Sequence, residues 1–221
     1  MALIVNNSTY SNANPNGNSI TLNHTHPVGN NPLLVVSVAQ SNSTSVTSVT
    51  YNGQNLVQQA NINYGGFSQR LAVYTISNPS VGTSLPLVIN FSGGQFNPIS
   101  AWAQSYTGAQ PDIPQVYNSG GSITPHFQST PIQENNSRIM AVSISNTNFQ
   151  KFRINNIDIP IVAQQNTNKF VAGAISEPVP SGNIDVGAFV DSGSVTLARW
   201  EIKEFTVPTG DAQGNWLALL T

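Results

Sequence analysis

The sequence predicts an all-β protein, an antiparallel sandwich with almost no helix. Three observations carry that expectation. Charged residues make up only 7% of 221 positions, against about 25% in ordinary globular chains. Asn, Ser, Thr, Gln and Gly stand in their place, and these suit strands and turns rather than the Glu-, Lys- and Ala-rich faces of helices. Short segments of β-type residues also recur at regular spacing with turn residues between them, and the order of the first half returns in the second.

Ser19–His26 alternates, with Ile20, Leu22, His24 and His26 on one face and Thr21, Asn23 and Thr25 on the other. Leu33–Val38 is an apolar run broken only by Ser37, the mark of a central strand buried on both faces. Val46–Tyr51 and Gln54–Gln59 flank Asn52-Gly53, a hairpin signal because a type I′ turn needs positive φ at both positions. Arg70–Ile76, Leu85–Phe91 and Ile99–Tyr106 follow, set apart by Asn-Pro-Ser, Gly-Thr-Ser and Gly-Gly.

A Pro- and Gly-containing segment, 108–136, then interrupts the pattern. Beyond it, Asn136–Ile144 resembles Asn31–Val38, Phe170–Ile175 resembles Leu71–Ile76, and Ile184–Val190 resembles Leu85–Phe91. Trp102 and Trp200 centre the last strand of each half. In that second strand Ala198, Trp200 and Ile202 point one way and Arg199, Glu201 and Lys203 the other, which predicts one core face and one wet face.

Half-motifs of about four strands bury no core alone but do so packed face to face. The expectation is therefore a single jelly-roll-type sandwich over 19–206, with similar halves at about 19–107 and 137–206 and 108–136 as a long crossover. Residues 1–18 read as an N-terminal arm and 207–221 as a tail.

A net charge of −2 with no basic stripe argues against nucleic-acid binding. So uncharged a surface has little self-repulsion, which suits an assembling protein. Without cysteine there is no disulfide framework, thiol nucleophile or thiolate metal site. Met1 opens no signal-peptide pattern, and no apolar stretch approaches the ~20 residues of a membrane span.

Thr21–Thr25, Asn31–Val38, Ser48–Gly53 and Tyr106–Gly108 together resemble a family of concanavalin-like jelly-roll modules in phage structural proteins and bacterial surface proteins. The resemblance spans about residues 19–206 and rests on strand-and-turn motifs. It implies a fold and a setting, virion or cell surface, with no catalytic residues to carry over. The start at Met1 without a leader fits the phage setting better.

Few residues suggest chemistry. His24 and His26 share a strand face, but zinc-type sites need further ligands, and a polar strand end is the plainer reading. The acids fall singly in sequence. Glu201 and Glu204 are assigned to opposite faces, so they make no glycosidase pair, and Asp185, Asp191 and Asp211 lack the spacing of a calcium loop. No catalytic, cofactor-binding or metal residues are assigned, and the chain is expected not to be an enzyme. Tyr51, Tyr64, Phe67, Phe96 and Tyr117 fall in or beside expected loops. Of these, Tyr64 and Phe67 in Tyr64-Gly-Gly-Phe67 are the possible glycan contacts. Trp216, Leu217, Leu219 and Leu220 place four large apolar side chains at the chain end, an expected oligomer contact of the strand-addition kind.

The resulting expectation is a structural protein of a virus particle, working as a homo-oligomer with other virion proteins (capsid decoration, fibre or tail-associated). The alternative is a lectin-like adhesin or surface module for a host-surface glycan.

Overall fold

The computed structural model describes residues 2–13, 17–41, 45–64, 69–92, 99–110, 116–121, 126–145, 149–161, 163–165, 170–190 and 195–206. They form eighteen strands and no helix. The first nine are β1 (Ile4–Ala13), β2 (Ser19–His26), β3 (Leu33–Ser41), β4 (Val46–Tyr51), β5 (Gln54–Asn55), β6 (Val57–Tyr64), β7 (Gln69–Ser77), β8 (Gly82–Phe91) and β9 (Ile99–Thr107). The second nine are β10 (Val116–Gly121), β11 (His126–Ile132), β12 (Arg138–Ser145), β13 (Phe149–Ile154), β14 (Ile157–Ile159), β15 (Ala163–Gln165), β16 (Phe170–Ile175), β17 (Gly182–Val190) and β18 (Val195–Ile202).

The two sets are wound identically. In the first, one sheet runs β1-β9-β3-β7-β6 and the other β2-β8-β4-β5. Adding nine to every label gives the remaining sheets, β10-β18-β12-β16-β15 and β11-β17-β13-β14. First strand pairs with last and second with next to last, the order of a long antiparallel hairpin rolled into a jelly roll. Even a local irregularity repeats: the β4–β8 register shifts between Val46 and Ser48, and the β13–β17 register between Phe149 and Lys151. Asn52-Gly53 turns β4 into β5 with both φ positive, and Asn155-Asn156 does the same between β13 and β14.

The expected all-β jelly-roll architecture of two similar halves is what the chain adopts, and the halves do meet face to face. Each half also encloses a core of its own, a correction to the expectation that a half buries none: each supplies nine strands in two sheets rather than about four. Leu34, Val36 and Val38 of β3 pack against Val49, Tyr51, Leu87 and Ile89 in the first sandwich. Ile139 and Ala141 of β12 pack against Phe152, Ile154, Val186 and Ala188 in the second. A third core joins the five-stranded sheets back to back: Leu33, Val35, Leu71, Val73, Trp102 and Tyr106 meet Met140, Val142, Ile144, Ala198, Trp200 and Ile202. The layers thus run four-stranded, five-stranded, five-stranded, four-stranded.

This layering explains two strands. Leu33–Val38 is apolar at every position but Ser37 because its alternate residues fill different cores. The wet face expected of β18 is a correction: Arg199 and Glu201 are 3% and 1% exposed. Ala198, Trp200 and Ile202 face the central core, so the opposite face of β18 lies inside the second sandwich, under β11. Alternation reported two faces correctly, but polarity does not mean solvent in a four-layer stack.

Two boundaries also change. Residues 1–18, expected as an arm, contain β1, which pairs along β9 from Ile4↔Thr107 to Ala13↔Ile99. The expected crossover 108–136 contains β10 and β11, the counterparts of β1 and β2. Alternation failed there because β10 holds Asn118, Ser119, Gly120 and Gly121, residues with weak strand preference.

Candidate functional site

His24 and His26 do lie on one face of β2, but that face is the interior. Both are fully buried, which corrects the reading of a polar strand end. His24 Nδ1 lies 2.8 Å from Thr9 Oγ1 on β1, and Nε2 lies 2.7 Å from Ser105 Oγ on β9. A neutral ring donates through one nitrogen and accepts through the other, so both hydroxyls match it. Tyr51 presents its ring edgewise to His24 at 5.9 Å and donates its hydroxyl to the His24 carbonyl at 3.1 Å. Tyr51 is itself fully buried, a correction to its reading as a loop aromatic: it sits on the inward face of β4, before the turn.

Among the described residues, neither ring nitrogen of His26 has a partner in hydrogen-bond geometry. Burial pushes both imidazoles down to about 4, helped at His24 by the neighbouring His26 and opposed at His26 by the Pro27 backbone. The pair is a neutral, buried feature of the first sandwich. No group of three or more His, Cys, Asp or Glu side chains that could hold a metal occurs among the described residues.

A second buried polar set closes the end of the second sandwich. Arg199 donates to Thr130 Oγ1 and to the Ser129 carbonyl. The Glu201 carboxylate accepts the backbone N–H of Gln133 at 3.1 Å and of Glu134 at 3.1 Å, and the Ser137 hydroxyl at 2.6 Å. It thereby anchors the turn between β11 and β12 from a carboxylate that is itself buried and must find its partners within the protein.

The third set faces outward, on the four-stranded sheet of the second sandwich. Phe127 and Phe189 meet edge to face at 5.3 Å. Lys151 Nζ lies 5.2 Å and the Arg153 guanidinium 5.0 Å from the Phe189 ring centre, within cation–π range. Asp158 accepts from Lys151 Nζ at 2.7 Å and from Arg153 Nε at 2.8 Å, and these bonds hold its carboxyl below the usual range. Two of the chain's seven basic residues therefore flank one ring. The available signal was Asn155-Asn156, a hairpin turn that sets Arg153 opposite Asp158.

Of the expected glycan contacts, Tyr64 ends β6 and pairs with Gln69, while Phe67 lies outside the described residues. Phe96, Asp191, Asp211 and the tail residues Trp216, Leu217, Leu219 and Leu220 also lie outside them. Asp185 is exposed on β17. Trp102 and Trp200 are core residues as expected, 3% and 0% exposed.

No family model and no curated protein matches the chain. Among solved structures it is similar to the major capsid protein P2 from bacteriophage PM2, with a TM-score of 0.29 and 11% identity over 91% of this chain and 99% of that one.

Proposed function

We propose that this chain is a structural protein of a virus particle, in the phage setting its sequence resembles, and that it works as an oligomer through protein–protein contacts. The observation that carries the reading is the central core, in which two complete jelly rolls are joined back to back through Trp102, Tyr106, Met140 and Trp200. A hinge between the sandwiches would have to expose that apolar surface, so the pair is a stiff block. A surface poor in charge lets such blocks pack side by side without strong repulsion. The buried polar sets do structural work in this reading, and no residue is assigned a catalytic role.

The contact proposed for assembly is the tail, through Trp216, Leu217, Leu219 and Leu220. The test is light scattering and electron microscopy of the purified chain, with mass spectrometry of purified particles. Defined oligomers and presence in particles are expected, and deleting residues 208–221 should abolish assembly while leaving the melting temperature nearly unchanged. A strictly monomeric chain absent from particles would overturn the proposal.

A further inference from the structure

The duplicated fold contains its own control for the outward cluster. Register pairs Phe127 with Gly187, Lys151 with Phe189, and Arg153 with both Gly187 and Asp158. The same places in the first sandwich pair Thr21 with Val88, Ser48 with Asn90, and Thr50 with both Val88 and Asn55. Every one of those counterparts is uncharged and none is aromatic; Asn90 Nδ2 simply donates to Ser48 Oγ at 2.8 Å. The fold therefore closes without rings or charges at these positions. The cluster is an addition to the second outer sheet.

Its chemistry narrows the ligand. The apolar part is confined to two rings, with Phe127 38% exposed and seated over Gly187, where a Cβ would come within 2.5 Å of the ring. The positions around Phe127, among them Gln128, Ser129 and Asp185, are exposed and polar. An apolar patch so small suits one or two sugar rings better than a stable protein interface of about 800 Å² per partner. Charge selects too: Asp158 pairs with both Lys151 and Arg153, and Asp185 lies two residues along β17 from Gly187. The formal charges on this face are thus two of each sign and favour neither an anion nor a cation. The Arg153 side chain is 30% exposed and that of Asp158 52%, so both groups of the pair are open to a ligand from solvent. Fixed donors beside a fixed acceptor and an exposed ring match the hydroxyl edge and C–H face of a pyranose.

We propose that this face binds a neutral pyranose saccharide, with Phe127 under the sugar's C–H face, Asp158 accepting from a hydroxyl, and Arg153 and Lys151 donating to neighbouring oxygens. The test is an array of neutral and acidic saccharides probed with the full chain, followed by NMR titration with the best neutral methyl pyranoside. Shifts should localise to Phe127, Lys151, Arg153 and Phe189. Phe127→Ala and Asp158→Asn should each weaken binding at least about tenfold, ~1.4 kcal/mol, with melting intact. Thr21→Ala and Asn55→Ala at the matching places of the first sandwich should change nothing. Phe127→Leu, which keeps bulk but not the ring, repeats the test should the alanine variant fold poorly. Three results would overturn the proposal: no neutral saccharide bound at millimolar concentration, binding of acidic glycans alone, or binding unchanged in folded Phe127→Leu and Asp158→Asn proteins.

Discussion

The indole of Trp102, on β9 of the first sandwich, lies against the backbone of Gly173, on β16 of the second: a Cβ added at Gly173 would fall 2.4 Å from Trp102 Cζ3. The two are 71 positions apart in sequence and belong to facing sheets, so this contact exists only when the sandwiches dock. Trp102 Nε1 also donates to Ser8 Oγ at 2.7 Å, tying the ring to β1.

Gly173→Ala should therefore report on docking. The added methyl must displace a buried ring, and overpacking of this kind costs typically 1–3 kcal/mol. Trp102→Ala should cost about 3–5 kcal/mol. Urea unfolding checks both, and wild-type midpoints for both would show the sheets to be loosely apposed.

Glu201→Ala should be among the costlier single changes outside the apolar core. It leaves two backbone N–H groups and the Ser137 hydroxyl facing an empty, buried site. Leaving a buried donor unsatisfied costs on the order of 1–3 kcal/mol, and Glu201→Gln, which keeps an acceptor, should cost less. Thermal melts of the two variants settle the order, and equal melting temperatures would contradict it.

His24 and His26 predict acid sensitivity. Both are pushed from 6.5 to about 4 in the folded chain, so the unfolded chain binds more protons as pH falls between those values. Stability is then full above about pH 6.5 and is lost towards pH 4, by on the order of 1–2 kcal/mol per histidine between pH 7 and pH 5. His26→Asn with His24→Gln should flatten the dependence. Denaturant unfolding at a series of pH values measures it, and an unaltered slope in the double variant would be against it.

Gly108 joins three parts of the chain. Its N–H donates to the Asn30 carbonyl at 2.7 Å, its own carbonyl accepts from Phe205 N–H at 2.7 Å, and its φ is +69°. A Cβ there would come within 2.2 Å of the Ala2 carbonyl oxygen. Gly108→Ala combines left-handed strain of about 1–2 kcal/mol with that clash, so a loss above about 2 kcal/mol is expected by calorimetry. A neutral result would mean that the N-terminal segment gives way freely.

Much of this protein was legible in its sequence. Charge-poor, turn-punctuated alternation determined an all-β chain, because strand periodicity and turn chemistry are local properties of residues one or two apart. The Trp102 and Trp200 strands marked the repeat, and Asn52-Gly53 marked its hairpin, for the same reason. Tertiary structure alone decided what lies on either side of each face. Leu33–Val38 could be read as buried twice, but not that it separates two cores. Arg199 and Glu201 read as wet, and His24 and His26 as a strand end, because polarity reports the chemistry of a side chain and not the layer that covers it. The cluster at Phe189 stayed hidden for a further reason: Phe127, Lys151 and Phe189 come from three strands, and only their register brings them together.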